Sequence, residues 1–392
     1  MLAVREGKTW RYAGRVGTGF NDATLNDVHA RLRKLETREA CVTLPKSASA
    51  RGVHWVRPQL VAEVSFAQWT KENLVRQAVF QGLRHDKPAI RVVRERAMKI
   101  THADRVIDPS TGFTKGDLVE YFAHVSAALL PHVRDRPVSL VRAPEGIEGP
   151  MFFQKHAGAL DMPHVRMLDL ALDPGHAALM TIDRADALCD AAQMNVVELH
   201  TWNATARFID TPDRFVLDLD PDPTLPWQRV REAAVLVRGL LDELGLRCFL
   251  KTTGGHGLHV VVPLGRRDDW NTVKTFSHDL AAHLARTLPD RFSARPGPRH
   301  RVRKIFVDYL RNQRGATTVS AFSPRARLGL PVSVPIAWDE LDVVRSGTQW
   351  NIATVPERLR QLGKDNPWDG YARIRQTVTR VAARLKNRAL KT

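Results

Sequence analysis

The sequence predicts an α+β protein in two parts: a small N-terminal β-barrel, then a larger α+β domain around a mixed sheet. Three observations carry that expectation. A chain of 392 residues accommodates two or three domains. Residues 1–90 are rich in short alternating runs separated by glycine turns, with helical spacing between Leu25 and Leu35. Beyond residue 100, apolar runs of strand length alternate with amphipathic helical patterns.

Composition narrows the class of partner. Hydrophobic residues at 43% and charged residues at 26% describe an ordinary soluble globular protein. The 59 Lys plus Arg against 42 Asp plus Glu give a formal net charge of +17. That excess favours a polyanion, nucleic acid first, although a ribosome-associated or membrane-surface protein can be equally basic. Cys41, Cys189 and Cys248 lack metal-ligand spacing and cannot all pair, which fits a reducing cytoplasm. No apolar run approaches membrane-spanning length and no signal-peptide pattern opens the chain, so a cytoplasmic protein is expected, with no membrane partner.

The N-terminal runs are Lys8 to Phe20, Val53 to Pro58 and Val61 to Phe66. Several strands around one helix suggest a barrel of the OB type. The run Arg11-Tyr-Ala-Gly-Arg-Val-Gly-Thr-Gly-Phe20, with Val53-His-Trp-Val-Arg-Pro58, Glu63, Trp69-Thr70 and Gly82-Leu-Arg-His-Asp-Lys87, resembles the OB domain of bacterial ATP-dependent DNA ligases. The Lys-x-Asp-Gly adenylation motif that carries AMP in that family is absent from these residues. A DNA-contacting remnant without ligase activity of its own is therefore expected, with Arg84 and Lys87 matching the family's basic motif.

Residues 91–100 read as a short basic connector, residues 101–370 as the second domain, and residues 371–392 as a basic C-terminal helix. Thr114 is an acceptable N-cap for a helix carrying Leu118, Tyr121, Phe122, Val125 and Leu129 on one face. Strands are expected at Val138 to Val141, Met151 to Phe153, Val196 to Leu199, Val216 to Leu219, Cys248 to Lys251, Leu258 to Val262 and Ile305 to Tyr309. Helices are expected from Leu225 to Leu244, closed by Gly245, and from Trp270 to Leu288. In the tail, Ile374, Val378, Val381 and Leu385 recur at helical spacing.

The chemistry gathers on Arg214-Phe-Val-Leu-Asp-Leu-Asp-Pro221. Alternation puts Phe215, Leu217 and Leu219 on one face and Asp218 and Asp220 on the other, with the two Asp Cα atoms roughly 6.5–7 Å apart. Pro221 ends the ladder, so the pair lies at a strand terminus. Adjacent carboxylates repel unless a cation or proton lies between them. They suit a divalent-metal site, or they open a solvated acidic turn. Asp308 sits in a second apolar run, either as a third ligand or as a salt-bridge partner of Arg301, Arg303 or Arg311.

Lys251-Thr-Thr-Gly-Gly-His-Gly-Leu-His-Val260 lets backbone N–H groups approach a polyphosphate, or simply makes a tight turn. His200 closes an apolar run as a nucleotide contact or a satisfied core histidine. Phe152 and Phe153 offer stacking faces or belong to the core.

Together these residues resemble the polymerase domain of bacterial DNA ligase D, a member of the archaeo-eukaryotic primase superfamily. The resemblance runs from about Thr101 to Trp368 and includes Thr114-Lys-Gly-Asp117, Phe152-Phe-Gln-Lys-His156, Glu198-Leu-His200, Leu217-Asp-Leu-Asp-Pro221, Thr253-Gly-Gly-His-Gly-Leu-His259, Val307-Asp-Tyr-Leu310 and Ser323-Pro-Arg-Ala326. It implies a primase-like α+β fold and template-dependent addition of nucleotides to DNA ends or gaps in non-homologous end joining. Asp218, Asp220 and Asp308 would hold two Mn²⁺ or Mg²⁺ ions. His200, Thr253, His256, Arg301 and Arg325 would contact the nucleoside triphosphate. Arg105 and Lys115 would bind the 5′-phosphate of a DNA end, and Phe152 and Phe153 would stack on bases. Ku, a ligase domain and a nucleoid-associated location are implied as well. The family usually carries Ser at 253 and a cation such as Lys at 256, so Thr253 keeps the hydroxyl while His256 is charged in part at neutral pH. Two rivals stand beside this reading: a non-catalytic DNA-end-binding scaffold recruiting ligase or Ku, and a ligase proper, which the absent adenylation motif disfavours.

Overall fold

The computed structural model describes residues 1–6, 9–45, 52–66, 68–70, 72, 74–84, 88–92, 100–158, 161–363 and 365–389. Lys87 and residues 93–99 of the expected connector lie outside the described residues. The chain forms two compact units, Met1–Lys99 and Ile100–Thr392. No helix among the described residues is long and apolar enough to cross a membrane.

The first unit carries the elements of an OB-type barrel: short strands around one helix. Leu2–Glu6 pairs antiparallel with Thr9–Gly14, Val61–Ser65 with Val79–Arg84, and Gln68–Trp69 with Val75–Arg76. Single bridges join Arg11 to Thr43 and Thr18 to Val79. Asn21 caps the helix Asp22–Arg33 by accepting from the Thr24 N–H at 2.8 Å. Val53 to Pro58, expected as a strand, makes one bridge, Val56 to Glu36. Its alternation is real, but no neighbouring strand completes a ladder with it among the described residues.

The second unit is α+β with two six-stranded sheets rather than one sheet, beside a two-stranded ladder of Val106–Asp108 with Phe113–Thr114. The first is mixed, in the order Phe292–Ser293, Ile305–Asp308, Arg214–Pro221, Leu258–Pro263, Phe249–Thr252, Pro335–Ile336; its first pair is parallel and the others antiparallel. The second is antiparallel and centres on Val138–Arg142 and Val196–Thr201, with Phe152–Gln154 paired to Val138–Arg142. Phe215, Leu217 and Leu219 enter the main core beside Val260, Val262 and Val307, as strand alternation requires. The helices Trp227–Leu244 and Trp270–Thr287 cover that core with Val237, Leu241, Phe276 and Leu280. Gly245 stops the first of them at φ 81°, a left-handed cap conformation that favours glycine.

Thr114 caps the helix Lys115–Val133 in a reciprocal box with Asp117. Asn312 extends the central ladder with a side chain: Val216 N–H donates to its Oδ1 at 2.8 Å, and its Nδ2 donates to the Val216 carbonyl at 2.7 Å.

The tail departs from the sequence reading. The helix spans Thr379–Ala389, while residues 374–378 are not helical and Tyr371–Arg373 is a single 3-10 turn. The cause is that the apolar positions serve two cores. Val378, Val381 and Leu385 join the main core, whereas Ile374 and Tyr371 pack with Trp368 and Phe249 on the opposite face of the sheet.

Candidate active site

Strand register builds a polar row across the mixed sheet. Asp308 pairs with Asp218, Asp218 with His259, and His259 with Lys251. Directly opposed residues share a sheet face, so two acids, an imidazole and a lysine amine line up over four strands. Asp220 lies two residues beyond Asp218 on the same face and opposes Phe306. Alternation of Arg214–Pro221 and its pairing with Ile305–Asp308 bring all three aspartates together.

Electrostatics differ along the row. Burial raises the Asp308 pKa, and the Asp218 charge raises it further. Arg311 Nε, 3.1 Å away, and the Leu310 N–H, 2.8 Å away, bond its two oxygens. Burial works against ionised Asp218 too, but His259, Arg311 and Lys251 outweigh it and lower the pKa. His259 Nε2 lies 3.3 Å from Asp218 Oδ2. Burial, then Lys251, push His259 down to about 4, so the ring is neutral at pH 7. Among the described residues its buried Nδ1 has no hydrogen-bond partner. Lys251, 4% exposed, donates to Ser333 Oγ at 2.6 Å. Burial drives its pKa well down, against the pull of Asp218. Arg301 forms an ion pair with Asp220.

A second cluster hangs on Glu198. His200 Nε2 lies 2.6 Å and Arg325 Nε 2.9 Å from its Oε2, and the Ala326 N–H donates to Oε1 at 2.8 Å. Burial opposes ionisation, yet these partners hold the Glu198 pKa down at about 2. Burial lowers His200. Arg325 Nη1 also donates to the Thr253 carbonyl at 2.9 Å, tying Glu198 to the glycine turn.

That turn is tightly built. The Thr253 hydroxyl donates to the Gly257 carbonyl at 3.1 Å and accepts the Gly255 N–H at 3.1 Å, so it shapes the turn. A Cβ on Gly257 would meet the Leu219 carbonyl oxygen at 2.2 Å, which forbids any side chain there. His256 stands exposed at the tip.

Phe152 and Phe153 are exposed at 53% and 51%, which removes them from the core. Phe153 packs edge-on against His200 with ring centroids 5.7 Å apart. A cavity of about 540 Å³ is lined by Phe153, Lys155, Asp308, Arg311 and Arg314.

Arg105 and Lys115 meet through the cap of the Lys115–Val133 helix. The Lys115 N–H donates to the Arg105 carbonyl at 2.8 Å, and Arg105 Nη1 donates to the Pro144 carbonyl at 2.9 Å. Lys115, 2% exposed, donates to Thr101 Oγ1 at 3.1 Å. Burial lowers its pKa and the Arg105 charge adds to that. Lys115 thus opens the helix, and Arg105 is joined to it by that backbone bond.

Glu198, Lys251 and His259 were not singled out from the sequence as site residues. A signal was present, since each is an ionisable residue inside an otherwise apolar strand.

Two family models match the chain: LigD, primase-polymerase domain, over residues 114–368, and ATP dependent DNA ligase C terminal region, over residues 1–87. The Multifunctional non-homologous end joining protein LigD of Pseudomonas aeruginosa is 50% identical over 95% of this chain and 47% of its own length. The LigD of Mycobacterium tuberculosis H37Rv is 32% identical over 63% of this chain and 34% of its own. The chain thus spans about half the length, or less, of these curated relatives. The solved polymerase domain of Mycobacterium tuberculosis ligase D in complex with DNA superposes with a TM-score of 0.63 at 28% identity, covering 74% of this chain and 99% of that one. With a family model matched over more than half its length, the chain belongs to the LigD primase-polymerase family, joined to a C-terminal region of the ATP-dependent DNA ligase type.

Proposed function

We propose that the chain catalyses template-dependent addition of nucleotides to DNA 3′ ends or gaps by phosphoryl transfer, in the end-joining setting named for its relatives. The observation that carries this reading is the convergence of Asp218, Asp220 and Asp308 on adjacent paired strands, with arginines beside them. The donor set fits divalent cations. It is all oxygen, which suits Mg²⁺ or Mn²⁺, and the upward push of the Asp218 charge on Asp308 favours a cation between them. Two such ions, when bound, would orient an attacking 3′-oxygen and neutralise charge on the pyrophosphate leaving group.

The chain's own residues do the positioning. Asp218, Asp220 and Asp308 supply the ligands, and Asp218 is held in place by neutral His259. Glu198 keeps His200 and Arg325 oriented toward the triphosphate, with the glycine turn, His256 and Arg301 completing the phosphate contacts. Arg105 and Lys115 receive the 5′-phosphate of a DNA end. Exposed Phe152 and Phe153 stack on bases. A DNA partner is supported by the DNA-bound mycobacterial domain and a ligase partner by the multifunctional end-joining relatives, while Ku rests on the family resemblance alone.

Primer extension on a gapped duplex with a 5′-phosphate, using ribo- and deoxynucleotides with manganese, tests this directly. Extension by the native chain and none by Asp218→Ala is expected. Tight phosphate-dependent binding without extension would leave a scaffold and remove the enzyme.

A further inference from the structure

Three ligand-type side chains outside the aspartate row converge: His156, Asp173 and His176 place donor atoms within 4.8 Å of one another. His156 follows the Phe152–Gln154 strand and is tied by a bridge to Leu179. Asp173 closes the Leu170–Leu172 3-10 turn. Gly175, at φ 87°, then turns the chain back, and the His176 N–H donates to the Asp173 carbonyl at 3.3 Å.

His156 Nε2 lies 2.8 Å and His176 Nδ1 3.4 Å from the same oxygen, Asp173 Oδ2. Arg314 Nη1 is 3.5 Å from the other oxygen, Oδ1. The two imidazole rings stack with centroids 4.9 Å apart and planes 5° apart. A pair of histidine–carboxylate hydrogen bonds is the ordinary reading of such a cluster. One carboxylate oxygen can accept from both rings, yet the two spacings, 2.8 and 3.4 Å, bracket the ~3.3 Å edge of a tetrahedral zinc site. Arg314 on Oδ1 occupies the outer position that commonly orients a ligating carboxylate.

We propose that His156, Asp173 and His176 form a second divalent-metal site, for a zinc-class ion. His156 and Asp173 are largely buried and already oriented, while the His176 side chain is 59% exposed and can turn to complete the set. A water takes the fourth position. Imidazole donors select zinc or cobalt over magnesium, opposite to the all-carboxylate row. The ion would clip the Phe152–Gln154 strand to the 169–176 loop. Phe153 lies three residues before His156 and packs on His200, so the clip would also fix this exposed aromatic.

The test is equilibrium dialysis of the full chain against zinc chloride in excess magnesium, with metal counted per chain and cobalt(II) absorption recorded in parallel. The native chain should retain one zinc ion and show a tetrahedral cobalt band. Asp218→Ala should keep both. His176→Ala, a change at an exposed position, should lose both, together with any zinc-dependent rise in Tm. Zinc retained by His176→Ala, or released by Asp218→Ala, would overturn the proposal, because the ion would then reside elsewhere.

Discussion

Asp218 and Asp308 oppose one another as direct register partners on two antiparallel strands, with His259 and Lys251 continuing the row on the other side of Asp218. Like charges directly opposite destabilise a strand pair, so this geometry is costly unless a cation or proton intervenes. The row carries its acids at one end and the buried Lys251 amine at the other.

Removing one of the opposed acids should separate stability from activity. Asp308→Asn takes away a carboxylate whose pKa is raised by burial and by Asp218. With a folded pKa above the unfolded one, the acid disfavours the folded state at high pH, and that effect fades as pH falls through the folded value. Metal-free Asp308→Asn should therefore melt higher than the native chain at neutral pH, by scanning calorimetry. Its primer extension should fall by about 100-fold or more.

His259 gives the chain an acid sensitivity of the opposite origin. Its folded pKa of about 4 lies below the usual 6.5 through burial first and then Lys251. The stability it contributes is fully present above pH 6.5 and is lost as pH falls toward 4, because the unfolded imidazole takes up the proton first. The span corresponds to roughly 3 kcal/mol. Urea unfolding from pH 7 to 4 should show this loss, and His259→Gln should flatten it.

Glu198 anchors two side chains at once, so its removal should affect both fold and nucleotide binding. Glu198→Ala leaves Arg325 and His200 without their shared partner, and breaking such a buried pair costs about 3–5 kcal/mol. At a temperature where the variant stays folded, KM for nucleotide should rise more than kcat falls, as steady-state extension would measure.

Lys115 should govern recognition of the DNA end rather than chemistry. Lys115→Gln removes one of two adjacent cations, and binding to a 5′-phosphorylated gap should weaken toward that of an unphosphorylated one. The slope of log K against log salt should fall by about 1. Fluorescence anisotropy over a salt series would read both effects.

The Arg136–Asp213 pair is a structural counterpart. The two side chains meet at 2.7 and 2.8 Å, and are 8% and 10% exposed. Burial opposes ionised Asp213, but Arg136 holds it down at about 2. Arg136→Ala should cost up to about 3–5 kcal/mol by taking the bidentate partner from buried Asp213, which keeps Arg266 at 3.2 Å, with per-molecule activity retained below the melting transition.

Much of this was legible before any tertiary contact. Alternation placed Phe215, Leu217 and Leu219 in the core and Asp218 and Asp220 on the opposite face, because the period of a strand is local. Thr114 and Gly245 marked their helix ends through capping chemistry confined to one turn. The family resemblance, resting on ordered short motifs, named the primase-like fold that the comparisons support.

What the chain's own pattern left undecided depended on partners distant in sequence. Register between Arg214–Pro221 and its two neighbours decided that Asp308 faces Asp218 and that His259 and Lys251 continue the row. Contacts across more than a hundred residues decided that Glu198 holds Arg325, and solvent decided that Phe152 and Phe153 lie outside the core. The tail shows the same division. Its apolar spacing promised one helix from Ile374, but two separate cores claim those residues, and helical structure begins at Thr379. Periodicity fixes which faces are apolar; pairing and packing fix what each face meets.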